Sequence, residues 1–258
     1  MKVIGLIGGM SWESTAVYYK QINVEIRQRF GGLHSARVVL HSCDFDEVVT
    51  LQKAGRWDEL AYMLADAAGA LEAAGAECAA ICTNTMHKVA AEVQDSIGIP
   101  LIDIRDATGS IIQADNIRRV GLLGTQYTME QTFFRNYLTD NWGIDVITPS
   151  EKQRAAVHHV IFGELCQGSI LSENRAHLIE IIEELAAQGA EGVILGCTEL
   201  MLLLNQEHSP LPLYDTTTLH SRALVSYAVD GIRVRPAVAP GILQSRQQAI
   251  PMSATVLA

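Results

Sequence analysis

One segment of the chain is written twice. Leu71-x-Ala73-x-Gly75-Ala76-Glu77 recurs as Leu185-x-Ala187-x-Gly189-Ala190-Glu191. Two further echoes keep the same order. Ile4-Gly5-Leu6-Ile7-Gly8-Gly9 matches Val120-Gly121-Leu122-Leu123-Gly124-Thr125, and Pro100-Leu101-Ile102-Asp103 matches Pro212-Leu213-Tyr214-Asp215. A repeat of this length means one supersecondary unit built twice, so each half must bury the same faces. Carrying the register forward sets Thr83 against Cys197, Asn84 against Thr198 and Thr85 against Glu199. Both triplets follow a short apolar run and precede an amphipathic stretch, the pattern of a strand, a polar turn and a helix. One turn thus offers a hydroxyl where its counterpart offers a thiol, and this asymmetric pair marks the candidate chemistry.

The rest of the chain fits alternating strands and helices. Residues 3–7 form a buried strand, Gly8-Gly9-Met10-Ser11 a turn ending on a Ser cap, and a helix follows with Tyr18, Ile22, Ile26 and Phe30 on one face until Gly31-Gly32. The glycine spacing is not that of a dinucleotide fingerprint and suits a turn whose N–H groups approach a small anion. Residues 37–40 read as a second strand, 41–47 as its exit loop, and Gln52 as lying just beyond in polar surroundings. Residues 57–74 are helical with Leu60, Leu64, Ala67, Ala68 and Leu71 inward, and 99–103 read as a fourth strand. In the second half, 132–141, 155–167 and 172–188 read as helices and 144–147 and 192–195 as strands. The fold class is α/β: two pseudo-symmetric, doubly wound units, each a short parallel sheet flanked by helices. The first covers 1–105 and is completed by 210–230; the second covers 106–209. Residues 231–258 hold no acidic or aromatic residue and read as an extension outside the repeat. Ligands of such sheets sit outside the carboxyl ends of the strands, so both sets of turns would build one site.

Charge and cysteine usage narrow the function. A net charge of −10 argues against nucleic acid or an anionic membrane as partner. No apolar run is long enough to span a bilayer, and the first ten residues are too short for a signal peptide. The five cysteines, odd in number and without a CxxC pair, point to reduced thiols in a cytoplasm and not to disulfides or a metal site.

Cys197 can act as a base only as a thiolate, and a helix N-terminus would lower its pKa; otherwise it is a small buried hydrophobe. Thr83 cannot readily ionise but can donate or relay a proton; otherwise it caps the following helix. Cys82 is the nearest thiol to the Thr83 position. Strand alternation turns it away, into the core, and the alternative is that it supplies a second base. Cys43, Cys78 and Cys166 carry no such context and read as structural. Asn84, Thr85, Thr125 and Thr198 sit after strands and offer donors for carboxylates.

At Gly8-Gly9-Met10-Ser11-Trp12-Glu13-Ser14-Thr15, Thr83-Asn84-Thr85-Met86-His87 and Gly196-Cys197-Thr198-Glu199, the chain resembles the aspartate/glutamate racemase family over about residues 1–230. The resemblance implies two α/β domains with the site between them, a homodimer, an acidic amino acid as substrate, and no pyridoxal phosphate or metal. It implies proton transfer at Cα by two cysteines on opposite faces. Here Thr83 stands where the first cysteine is expected, as in an L-specific subgroup, and Cys197 is retained. Gly9, Met10 and Gln52 match positions used near the substrate, Tyr127 is a further candidate there, and Glu199 either orients the amino group or caps its helix. Two alternatives are a malonate-type decarboxylase, which needs a single cysteine, and an amino-acid-binding protein that has lost its chemistry.

Overall fold

A computed structural model describes residues 1–167 and 169–236. The repeat becomes two parallel sheets. The first is ordered β2-β1-β3, from β1 (Ile4–Gly8), β2 (Val38–Ser42) and β3 (Cys78–Ile81). The second is ordered β5-β4-β6-β7, from β4 (Arg119–Gly124), β5 (Asp145–Ile147), β6 (Gly192–Gly196) and β7 (Leu213–Asp215). Leu6 pairs with Ala80 as Leu122 pairs with Ile194, so β1–β3 and β4–β6 are equivalent pairs.

The duplicated Gly-Ala-Glu has one physical task in both halves. Gly75 and Gly189 take φ of 88° and 91°, a left-handed conformation that a Cβ disfavours. The chain then turns back, with Ala76 N–H donating to Leu71 C=O and Ala190 N–H to Leu185 C=O, each 3.0 Å. The Glu side chain ties the new strand to its neighbour: Val3 N–H donates to Glu77 at 2.8 Å and Arg119 N–H to Glu191 at 3.1 Å.

Around the first sheet pack α1 (Trp12–Phe30), α2 (Phe45–Lys53), α3 (Trp57–Ala73) and α4 (Ala90–Asp95), while α5 (Ile104–Ala114) sends Ile104 and Ile112 into the core of the second. Around the second pack α6 (Gln126–Glu130), α7 (Thr132–Trp142), α8 (Glu151–Gly163) and α9 (Ser172–Ala187). The last helix, α10 (Thr216–Asp230), returns from β7 to pack on α1 and α5. The predicted inward face of α3 is buried throughout, and Tyr18, Ile22 and Ile26 of α1 are buried, but Phe30, the last residue of α1, is half exposed.

Two predicted elements differ. Residues 99–103 make only a bridge between Ala79 and Leu101, because Pro100 lacks an N–H and Asp103 already caps α5 by accepting from Arg105 N–H. Residues 41–47 are not a loop: β2 runs to Ser42, and Asp44 caps α2 by accepting from Asp46 N–H at 3.1 Å. Gln52 therefore sits on a helix, buried, with its amide donating to Met86 Sδ at 3.2 Å. Of the extension, residues 237–258 lie outside the described residues; within 231–236, Arg233 donates to Leu101 C=O at 3.0 Å. Among the described residues no helix is long and apolar enough to cross a membrane.

Candidate active site

The turns after β1, β3, β4 and β6 converge between the two sheets on one cleft. A pseudo-twofold pattern links them. On one side, Ser11 and Ser14 at the start of α1 donate to Glu199, at 3.0 and 2.9 Å. On the other, Thr125 and Thr128 at the start of α6 bond to Thr85, at 3.1 and 3.2 Å. Each turn thus leans on the first helix of the opposite half, and Thr85 and Glu199 are the equivalent positions of the repeat.

From the first half, Met10, Gln52, Thr83, Asn84 and Thr85 line the cleft; from the second, Thr125, Cys197, Thr198 and Glu199. Thr83 and Cys197 come from opposite halves. Cys82 is fully buried with Ile4, Leu6 and Tyr18, in the core under α1. Two other residues singled out in the sequence do not line the cleft. Gly9 has φ +84°, and a Cβ there would collide with the Cys43 carbonyl. Gly9→Ala is expected to cost about 1–3 kcal/mol by overpacking and backbone strain, read as a lower urea midpoint; an unchanged midpoint would show that the turn relaxes freely. Tyr127 belongs instead to an aromatic arc at the cleft's edge. Its ring centroid lies 6.0 Å from Trp57 and 6.4 Å from His158; His158 meets Phe162 at 4.8 Å, and Phe162 stacks on Phe45 across the two halves.

The Thr83 turn is held from behind. His87 Nε2 accepts from Ile104 N–H at 3.2 Å, so its Nδ1–H donates to Thr83 C=O at 2.8 Å. His220 donates from Nε2 to Ile102 C=O at 2.7 Å and accepts the Tyr18 hydroxyl at Nδ1. Burial keeps both imidazoles neutral, pushing His87 down to about 4 and His220 to about 3. Their folded pKa values lie below the unfolded value of about 6.5, so the unfolded chain binds protons first. Stability is therefore full above pH 6.5 and declines, by on the order of a few kcal/mol, as pH falls from there toward 4. A urea midpoint that is flat between pH 7 and 4.5 would contradict this.

The thiol at position 197 departs from the sequence expectation. Only a five-residue 3-10 turn, Thr198–Leu202, follows it, too short for a helix dipole to carry weight. Burial, and then the Glu199 carboxylate, push the Cys197 thiol well above its usual range. Cys197 Sγ donates to Glu199 Oε2 at 2.9 Å, and Thr198 Oγ1 to the same oxygen at 2.7 Å. Ser14 Oγ also meets Thr198 Oγ1. Glu199 is desolvated, yet these thiol and hydroxyl donors together hold it below the usual carboxylate pKa. Cys166, read from the sequence as structural, also lines the cleft; burial and then Glu199 raise its thiol to about 12. No spacing signal marked it, since it lies on an irregular turn after α8. One polar atom is left waiting. Asn84 Nδ2 donates to Thr216 at 3.0 Å, while its buried Oδ1 has no protein partner. No Lys, Arg or His is among the described residues lining the cleft. No cluster of His, Cys, Asp and Glu among the described residues is grouped to hold a metal ion.

Two facing α/β units thus bring a thiol and a hydroxyl from opposite halves to the lining of one cleft. The chain belongs to the Asp/Glu/hydantoin racemase family, whose pattern matches residues 7–224. A crystal structure from Yersinia pestis, of a protein assigned as an Asp/Glu racemase, superposes with a TM-score of 0.84 at 49% identity, covering 88% of this chain and 99% of that one. PH1733, an aspartate racemase homologue from Pyrococcus horikoshii, gives 0.77 at 35% identity, covering 88% and 99%. The broad specificity amino-acid racemase RacX of Bacillus subtilis is 25% identical over 87% of this chain and 97% of its own length.

Proposed function

We propose that the protein is an amino-acid racemase that works without pyridoxal phosphate or metal, moving the Cα proton between Cys197 on one face and Thr83 on the other. The observation that carries this is that Thr83 and Cys197, equivalent in the repeat, line one cleft from opposite halves. The hydroxyls of Thr85, Thr125 and Thr198 suit the α-carboxylate, and Asn84 Oδ1 and Glu199 suit the ammonium group. Gln52 and Met10 lie where they can meet the side chain. The family resemblance favours aspartate or glutamate, with a bias to the L enantiomer because Cys197 is the thiol of the Thr83–Cys197 pair, and a homodimer in the cytoplasm.

A second substrate class has a specific observation behind it. The lining described here has no cation to hold a second carboxylate, and the pocket includes Phe45, Ile161 and Phe162. Burying an unpaired carboxylate is costly, so a neutral side chain suits these walls. Proton NMR in deuterated water, with L- and D-aspartate, L- and D-glutamate and a neutral pair such as homoserine, decides among them. Loss of the Cα proton signal supports the racemase. Carbon dioxide release from a substituted malonate without exchange of any amino acid would point to a decarboxylase, and saturable binding without exchange to a binding protein.

A further inference from the structure

An acidic amino acid carries net negative charge, and the protein it must enter has a net charge of −10. The cleft adds the Glu199 carboxylate and, among its described lining residues, no cation. Entry against that field calls for positive charge at the mouth, where it acts on the substrate from a distance. Lys88 is placed to supply it. It lies on the five-residue 3-10 turn Thr85–Val89, directly after Thr83 and Asn84. Residues three apart eclipse on such a turn, so Lys88 shares the face of Thr85, one turn further along. Thr85 lines the cleft and bonds to Thr125 and Thr128 of the opposite half.

The ammonium group is held by a ring and not by a carboxylate. Lys88 Nζ lies 3.8 Å from the centroid of the Trp57 ring. Trp57 opens α3 in the first half, and its ring meets Tyr127 of the second half edge-on at 6.0 Å. Lys88 thus stands where the aromatic arc at the cleft's edge passes from one half to the other. Partial burial, with no carboxylate acting on it among the described residues, lowers its pKa. A cation–π contact fixes the position of a cation without cancelling its charge. An ion pair with Asp or Glu at the same place would have cancelled it. We propose that Lys88 is the recruiting cation of this cleft, favouring amino acids with a side-chain carboxylate over neutral ones at the entrance and taking no part in proton transfer. This rests on the racemase reading and deepens it. It lets a lining without a cation serve an acidic substrate, because the selecting charge stands outside the lining. The alternative role, a lysine stem laid over an indole for packing alone, predicts no dependence on substrate charge.

Lys88→Met keeps the stem over Trp57 and removes the charge. Initial rates of Cα deuterium exchange are compared for the natural full-length protein and the variant, with L-aspartate, L-glutamate and neutral L-homoserine. Salt is set at about 0.01 M and about 1 M, where charges are screened over roughly 30 and 3 Å. At low salt kcat/KM for the acidic substrate should fall about tenfold in the variant, through KM and with kcat kept. At high salt the difference should shrink below about threefold, and homoserine should change by less than about twofold at either salt. Lys88→Arg, which keeps the cation on the ring, should stay within about threefold of the natural protein. Equal losses for acidic and neutral substrates, a loss that salt leaves unchanged, or no loss for the acidic substrate would each overturn the proposal. So would a natural protein that exchanges homoserine but neither acidic amino acid. Should only the acidic substrates exchange, the salt response and Lys88→Arg decide. Absence of exchange by the natural protein with every amino acid would instead remove the racemase reading itself.

Discussion

Cys197→Ala is expected to abolish Cα exchange with both enantiomers, by about 10³-fold or more, the upper part of the range for general acid–base groups. The loss follows from geometry. Cys197 is the thiol at the mirrored turn, it lines the cleft, and its sulfur connects the substrate space to Glu199. Cys82 cannot substitute, because it is buried in the core beneath α1, where burial alone raises its thiol far above the usual range. The fold should survive. Removing one small buried group costs about 1 kcal/mol of transfer free energy, and Ser11, Ser14 and Thr198 still grip Glu199. Cys197→Ser tests the same point more gently: it keeps a donor to Glu199 but replaces sulfur by an oxygen far harder to deprotonate. Exchange retained in either variant, with a native circular dichroism spectrum, would reassign the base.

Thr83→Cys is expected to raise exchange of the D enantiomer, by at least about tenfold. Each pKa unit between two candidate bases is worth about 1.4 kcal/mol in the cost of ionising them. A threonine hydroxyl stands many such units above a thiol, so removing the proton from the Thr83 face is slow in the natural protein. Thr83 is less buried than Cys82 or Cys197, so a thiol placed there pays less desolvation than either. The His87 contact to the Thr83 backbone carbonyl does not involve the replaced side chain and keeps the turn in place. The equilibrium between enantiomers remains one to one, so an enzyme efficient only from the L side must bind the D substrate weakly or invert seldom. No gain on the D side in a folded Thr83→Cys variant would show that another group serves that face.

How far the sequence is legible depends on how local each cause is. The repeated Gly-Ala-Glu states its own role, because a glycine with positive φ and an adjacent Glu act within a few residues and on the next strand. The inward face of α3 is a pattern of period 3.6 and reads directly. The α2 helix was legible only through Asp44 and the acidic first turn after it, a capping signal obscured by reading 41–47 as a loop. The strand at 99–103 failed because local β-propensity was countered by Pro100 and by the competing cap at Asp103. The state of Cys197 was not legible from its turn: burial, set by packing across both halves, raises its thiol first, and the Glu199 carboxylate second. Cys166 is a similar case, since its place in the cleft comes from the packing of its turn against Thr198–Leu202.

The most direct test of the central claim is deuterium incorporation at Cα of L- and D-aspartate by the natural protein, followed by proton NMR under identical conditions. Proton transfer by a Cys197–Thr83 pair predicts incorporation into the L enantiomer well ahead of the D, and the loss of both on Cys197→Ala. Equal incorporation into both enantiomers, abolished for the D enantiomer by Cys82→Ala, would contradict it and place a second thiol base on the opposite face.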